Sequence, residues 1–157
     1  METTSGALVV QPGEAGRASL SDGAFELLSG RGAVSAGRLT FATWADGAPP
    51  HHHKLSHELF YLLDGTLLFR LGDTVTSVGK GGLVVIQPGL PHAFGASEGE
   101  VADVVVVLSP GVERFEYFEQ LAAISRGEAE LESLVPEQDR YDVHFEDIPD
   151  WRTTPGG

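Results

Sequence analysis

The chain of 157 residues contains no cysteine, so it can form neither a disulfide framework nor a thiolate zinc site. Any metal ion that it binds must therefore be held by nitrogen and oxygen ligands. The chain also lacks a run of about 20 apolar residues, and its first residues carry no basic, apolar leader. These absences predict a cytoplasmic protein with no membrane partner.

Basic residues are scarce, with 10 Lys and Arg against 23 Asp and Glu and a formal net charge of −13. A surface of this charge repels phosphate backbones, so nucleic acid is not an expected partner. The length fits a single domain spanning residues 1–157. The 41% apolar content is enough for a sizeable core.

Short apolar runs separated by turn residues dominate the chain up to residue 109, which predicts an all-β sandwich or barrel over about residues 7–109. Turn signals include Asp64-Gly65, Gly72-Asp73 and Pro88-Gly89. The predicted strands are 7–10, 25–28, 38–44, 59–63, 66–71, 74–78, 83–86 and 101–108.

The pattern changes after Pro110-Gly111, and a helical segment is predicted over about residues 111–145. Its main helix covers 113–124, and a second short helix has Pro136 in its first turn. An irregular tail is expected over 147–157. The main helix has an apolar stripe formed by Phe115, Phe118, Leu121 and Ala122. The stripe is expected to pack either on the outer face of a sheet or over a barrel mouth, where the helix would act as a lid.

Four of the six histidines fall between positions 51 and 57, and this cluster is the main functional signal. In an extended segment His51 and His53 point to one face and His52 to the other. Glu58 begins the next strand on an otherwise apolar face, where a carboxylate needs charged partners or a metal ion. His92 follows a Pro-Gly-Leu-Pro turn. Three imidazoles and one carboxylate suit a divalent transition metal.

The remaining histidines are interpreted as bystanders. His52 and His57 should face away from the predicted ligands, although His57 has the alternative role of a hydrogen-bond partner behind them. His144 is expected to be structural or exposed. Aromatic side chains are candidates for lining an apolar substrate pocket, with ordinary core packing as the alternative: Phe41, Trp44, Phe60, Phe94 and Phe118.

These motifs resemble those of small single-domain cupins. The first cupin motif is matched by Pro49, His51, His53, Glu58 and Gly65, and the second by Gly81, Gly89 and His92. Gln87, Ala96 and Ala45 depart from the motifs, but none of the three is a predicted ligand. The resemblance implies a double-stranded β-helix, or jelly-roll barrel, with one divalent ion (Fe, Ni, Mn, Co or Zn) bound by the four predicted ligands.

A finer resemblance is to the bacterial quercetin 2,3-dioxygenase-like cupins. It is carried by Glu58 to Gly65, then Ser109-Pro110-Gly111 and a Phe-rich helix. It implies a homodimeric oxidoreductase of secondary metabolism, a dioxygenase that uses O2 on a flavonol-like or polyketide-like small molecule, with Glu58 as catalytic base. The apolar strand 7–10 is a candidate dimer edge, with pairing inside the chain as the alternative.

Two other functions are compatible with the same ligands. One is a non-oxidative cyclase, isomerase or decarboxylase in which the ion acts as a Lewis acid. The other is a non-catalytic module that binds a small molecule. The sequence does not choose among the three.

Overall fold

The computed structural model describes residues 2–4 (backbone only), 6–30 and 32–155. In this part of the chain the strands are β1 Glu2–Thr4, β2 Ala7–Val9, β3 Gly16–Leu20, β4 Gly23–Ser29, β5 Ser35–Phe41, β6 His51–His52, β7 His57–Leu71, β8 Thr74–Gly79, β9 Leu83–Ile86, β10 His92–Ala96, β11 Ala102–Ser109 and β12 His144–Phe145. The α-helices are α1 Phe115–Ser125 and α2 Gln138–Tyr141, and single 3₁₀ turns cover Leu131–Ser133 and Val135–Glu137.

The main sheet is antiparallel and is organised around the long strand β7. Its order is β12-β6-β10-β7-β11-β5-β4-β3, and β8 and β9 also pair with β7. The first half of β7 pairs with β9 and β11, whereas its second half pairs with β8 and β10. One strand thus links both halves of a curled sheet, as the predicted jelly-roll architecture requires.

The centre of β7 corrects one detail of the sequence prediction. Asp64-Gly65 was expected to be a turn between two strands, but the chain continues through it as one strand. The register against β11 shifts between Asp103 and Val104, and Gly65 has φ 72°. The register shift places a β-bulge at Leu63, and Gly65, with its left-handed backbone, lies two residues further along, where the strand passes from one half of the sheet to the other.

The core lies inside the curl and follows the two-residue period of the strands. In β7 the inward side chains of Glu58, Phe60 and Leu62 are buried, as alternation predicted. Phe60 packs against the rings of Phe69 and Phe94, with ring centroids 5.1 and 4.8 Å apart. The carboxylate of Glu58 thus lies in the same row of inward side chains as the aromatic core residue Phe60.

The N-terminal strand does not join the main sheet. β2 forms a separate two-stranded pair with β1, and all three of its residues are exposed. Pairing of this strand inside the chain was the alternative to its pairing with a second subunit. The homodimer stays a prediction.

The C-terminal segment is more ordered than the sequence indicated. The 3₁₀ turn at Val135–Glu137 has Pro136 in its first turn, and the short strand β12, which was not predicted, pairs with β6. In the tail, Thr153 offers its carbonyl to the buried Arg70 guanidinium at 2.9 Å. None of the described helices is long and apolar enough to span a membrane.

Candidate metal centre

The four predicted ligands come together because the curl of the sheet brings the paired strands β6 and β10, which lie beside the C-terminal half of β7, close to the N-terminal end of β7. His51 in β6 lies directly opposite His92 in β10, and β10 pairs in turn with β7. Glu58 is the second residue of β7, and His53 follows β6 in the connection to it. The pairing of β6 with β10 was not predicted, although it is what joins the two motifs.

The ligand atoms of His51, His53, Glu58 and His92 all lie within 4.8 Å of one another. All four side chains are buried. Oε2 of Glu58 is 3.1 Å from Nε2 of His53 and 2.8 Å from Nε2 of His92. The only cluster of this kind among the described residues is thus compact and shielded from water.

Hydrogen bonds to carbonyl oxygens orient the three imidazoles. Nδ1 of His51 donates to Pro49 at 2.7 Å, Nδ1 of His53 to Asp142 at 2.5 Å, and Nδ1 of His92 to Leu90 at 2.9 Å. These contacts place each ring proton on Nδ1 and leave Nε2 as a lone-pair donor toward the cluster.

The electrostatics of the ligands follow from burial and mutual contact. Burial lowers the pKa of His51 well below its usual value, so this ring is neutral. For Glu58, burial alone would raise the pKa, but the neighbouring imidazoles of His53 and His92 outweigh burial and hold the pKa well below its usual range. For His92, burial lowers the pKa, but contact with Glu58 outweighs it and leaves the pKa raised.

The donor set fits a divalent ion. Nε2 of His92 is buried and has no hydrogen bond of acceptable geometry among the described residues. Oε2 of Glu58 lies 2.8 Å from this nitrogen, and two lone pairs that face each other at this distance need a proton or a cation between them. Three Nε2 atoms and one carboxylate are ligands that iron, nickel, cobalt, manganese or zinc accept. These four residues would hold such an ion.

Asp142 supports the cluster from outside, and sequence reasoning missed it. Its carboxylate accepts hydrogen bonds from the backbone N–H groups of Lys54, Leu55 and Ser56, at 2.7, 3.0 and 3.2 Å. This loop connects His53 to Glu58. Asp142 adopts a left-handed backbone conformation with φ 51°, so both its carbonyl and its carboxylate face the loop.

A cavity of about 60 Å³ extends from the ligands to α1. Its walls combine apolar side chains, ligands and residues around the start of α1. Among the lining residues are Leu39, His51, His53, Glu58, Phe94, Val106, Arg114, Tyr117 and Phe118. Three residues of the N-terminal half of α1, Phe115, Tyr117 and Phe118, line the cavity, and the helix also packs on β3.

The structure brings two of the five predicted pocket aromatics, Phe94 and Phe118, to this cavity. Phe41 and Phe60 are core residues packed against Phe94 and are not among the lining residues. Trp44 is 55% exposed because β5 ends at Phe41 and the chain turns there. It does not reach the cavity.

The other histidines lie outside the ligand cluster. Nδ1 of His52 contacts Glu146 at 2.6 Å, and its ring stacks on His144 with centroids 5.1 Å apart. His57 is exposed, as alternation from Glu58 predicts. Arg114 and Tyr117 were not predicted as site residues; the only signal in the sequence was their place at the start of the main helix.

Comparison with known families matches residues 37–108 to the cupin domain. No curated protein sequence is significantly similar to the chain.

Three solved structures share the fold. Streptomyces Pac13 with uridine has 14% identity and a TM-score of 0.58 over 69% of this chain and 85% of that chain. An RmlC-like cupin of Shewanella frigidimarina has 14% identity and a TM-score of 0.59 over 69% and 93%. Iron(II) HppE has 17% identity and a TM-score of 0.60 over 68% and 62%. At such identities the likeness establishes the fold alone, and the resemblance to quercetin dioxygenase-like cupins stays a prediction.

Proposed function

Because residues 37–108 form a cupin domain around a buried three-histidine, one-carboxylate cluster, we propose that this chain is a metal-dependent oxygenase of small enolisable molecules. The observation that carries the proposal is the orientation of the three rings. Each Nδ1 is held by a carbonyl, so each Nε2 is available to an ion. When bound, a divalent ion here supplies Lewis acidity and, if it is redox-active, chemistry with dioxygen.

Glu58 has the role of base in this proposal. Its carboxylate is ionised at neutral pH because the neighbouring imidazoles lower its pKa. A carboxylate oxygen at the edge of the cavity can accept the proton of an acidic hydroxyl or an activated C–H group.

The apolar walls of the cavity favour the exclusion of water from the reaction. Leu39, Phe94, Val106 and Phe118 give it an apolar lining, and α1, which contributes Phe118, would act as its cover. A dry site strengthens the electrostatic effect of every charged group within it.

Oxygen consumption tests the proposal. Protein loaded with iron(II) or nickel(II) is incubated with acetylacetone, acetoacetate or quercetin in an oxygen electrode. We expect oxygen uptake in step with loss of one of these compounds, and its disappearance in Glu58→Gln. His57→Gln, which changes an exposed neighbour, is the matched control.

A non-oxidative lyase or isomerase is the second candidate. This reaction needs only a metal ion as Lewis acid and Glu58 as base. A non-oxidative enzyme with the same fold is known, since Pac13 is a nucleoside dehydratase. Equal turnover with and without oxygen would replace the oxygenase by this candidate. Tight binding of a compound without turnover would favour the non-catalytic module, and failure to bind any divalent ion would refute both enzymes.

A further inference from the structure

Besides the metal ligands, three buried side chains that line the cavity carry polar atoms without a hydrogen-bond partner among the described residues. These atoms are Oγ of Ser35, Nη1 and Nη2 of Arg114, and the hydroxyl of Tyr117. Their residues are 7%, 4% and 3% exposed. Buried polar groups are nearly always satisfied. Three such groups on one small cavity therefore indicate a ligand with matching polar atoms.

The Arg114 guanidinium is held in place while its terminal nitrogens stay available. Its Nε donates to the carbonyl of Tyr141 at 2.7 Å. The carboxylate of Asp142 lies 3.8 Å from Nη2, beyond hydrogen-bond distance, and already accepts three backbone N–H groups. Two parallel N–H donors of this kind match the two oxygens of a carboxylate.

Arg114 precedes the first residue of α1 and Tyr117 lies in its first turn, and both residues line the cavity. Burial raises the pKa of the Tyr117 phenol, so the hydroxyl keeps its proton and can donate. The negative charges of the two acidic residues that line the cavity, Glu26 and Glu58, are balanced by other partners. Glu58 faces the imidazoles of His53 and His92, and Glu26 lies 3.9 Å from Arg17.

We propose that Arg114 and Tyr117 form an oxyanion subsite that binds the carboxylate of a small enolisable acid, with the other end of the acid toward His51, His53 and Glu58. This inference rests on the proposed function and narrows its substrate class. A cavity of about 60 Å³ suits an acid of a few carbons. By the ~12 Å³ that one buried water requires, this is space for a handful of waters.

A matched pair of ligands tests the subsite. Acetoacetate and its neutral methyl ester are titrated into cobalt(II)-loaded protein by calorimetry, with the cobalt absorption as a second readout. Arg114→Gln removes the charge, Tyr117→Phe removes one oxygen atom, and Arg140→Gln changes an exposed arginine paired with Glu116 as the control.

We expect Arg114→Gln and Tyr117→Phe each to weaken acetoacetate binding at least ~10-fold, since each variant removes a hydrogen bond to a charged group. Binding of the ester and of cobalt should stay unchanged in all variants. Unchanged acetoacetate affinity in Arg114→Gln, or an equal loss for the ester, would overturn the subsite. If Arg114→Gln does not fold, Tyr117→Phe decides by itself.

Failure of the metal proposal gives a different result. If cobalt does not bind, the proposed enzyme is refuted, and the subsite is then tested by thermal stabilisation of the metal-free protein. Stabilisation by millimolar acetoacetate that is lost in Arg114→Gln would uphold the subsite. No response to acetoacetate in either form of the protein would overturn it, whether or not cobalt binds.

Discussion

Nδ1 of His53 donates a hydrogen bond to the backbone carbonyl of Asp142, 2.5 Å away and 89 residues further along the chain. The same residue accepts three N–H groups of the loop that leads from His53 to Glu58. One aspartate therefore fixes both the ring orientation of one ligand and the path of the chain to the next. Outer contacts of this kind tune metal affinity.

We expect Asp142→Ala to reduce the free energy of unfolding by about 3 kcal/mol, because three N–H groups, of which that of Ser56 is buried, lose a charged acceptor. Metal affinity should fall roughly 10–100-fold. Asp142→Asn keeps one acceptor oxygen and tolerates the left-handed backbone, so it should lose about 1 kcal/mol. Urea denaturation and competition with a chelator measure both quantities. Asp139→Ala, at a side chain that is 94% exposed, is the control and should behave as wild type.

The ligand assignment predicts a sharp contrast between adjacent histidines. His51→Ala and His92→Ala should lose most of the bound metal, whereas His52→Ala should keep it, because the ring of His52 contacts Glu146 outside the cluster. Elemental analysis after dialysis gives the metal content. An empty site in His52→Ala together with a full site in His51→Ala would show that the assignment is shifted by one residue.

The sequence predicted which side chains form the buried cluster, because alternation along a strand is a local property. His51 and His53 face inward, His52 faces Glu146, and Glu58 continues the buried row of Phe60, all as a two-residue period requires. The distant partners of these residues had no local signal. Nothing near Asp142 indicates that its carbonyl meets His53, since that contact depends on how the C-terminal segment folds back onto β6.

Errors at Gly65 and Trp44 have the same origin. Asp64-Gly65 is typical of a turn, and only the pairing of β7 with β11, which continues on both sides of the β-bulge at Leu63, shows that one strand runs through it. Trp44 continues an apolar run in the sequence, but β5 ends three residues earlier, so the indole is exposed. Pattern alone does not locate the end of a strand.

Gly65 offers a direct test of the path of β7 beside Val101. A Cβ at this position would lie 1.7 Å from the carbonyl oxygen of Val101, and φ is +72°. We expect Gly65→Ala to lower the free energy of unfolding by at least about 3 kcal/mol, or to prevent folding. Gly99→Ala is the matched control, since Gly99 has φ +73° with open space around it and should lose only about 1 kcal/mol. Equal losses would show that the contact with Val101 does not constrain β7.

The metal-free protein should lose stability in mild acid. Because burial lowers the pKa of His51, its contribution is fully present above the ordinary value of about 6.5 and declines as the pH falls below it. The raised pKa of His92 has the opposite effect on stability. It stabilises the folded protein below about pH 6.5, and this contribution is lost as the pH rises through the raised pKa. In urea titrations with a chelator from pH 7.5 to 5, His51→Gln should therefore fall less steeply than wild type. Identical slopes would contradict a buried neutral His51.

The last prediction concerns α1 as a cover of the cavity. The ring of Phe118 packs on Phe25 with centroids 4.5 Å apart, and both residues line the cavity. Deleting residues 112–157 would not isolate this role. It would also remove Asp142 and the buried side chains of Leu134 and Val143, so we expect that truncated protein to be insoluble.

Phe118→Ala tests the cover without removing those contacts. Phe118 is half-buried, so the variant should lose about 2 kcal/mol of stability, less than a fully buried phenylalanine would. If the ring of Phe118 closes the mouth of the cavity, a chelator should remove cobalt from the variant at least ~10-fold faster than from wild type. The reason is that an open mouth lowers the barrier to entry of the chelator into the cavity. Glu119→Ala, an exposed neighbour on the same helix, controls for the loss of a side chain from α1. A stability loss with an unchanged rate of cobalt removal would make α1 a packing element of the sheet edge and would end its role as a lid.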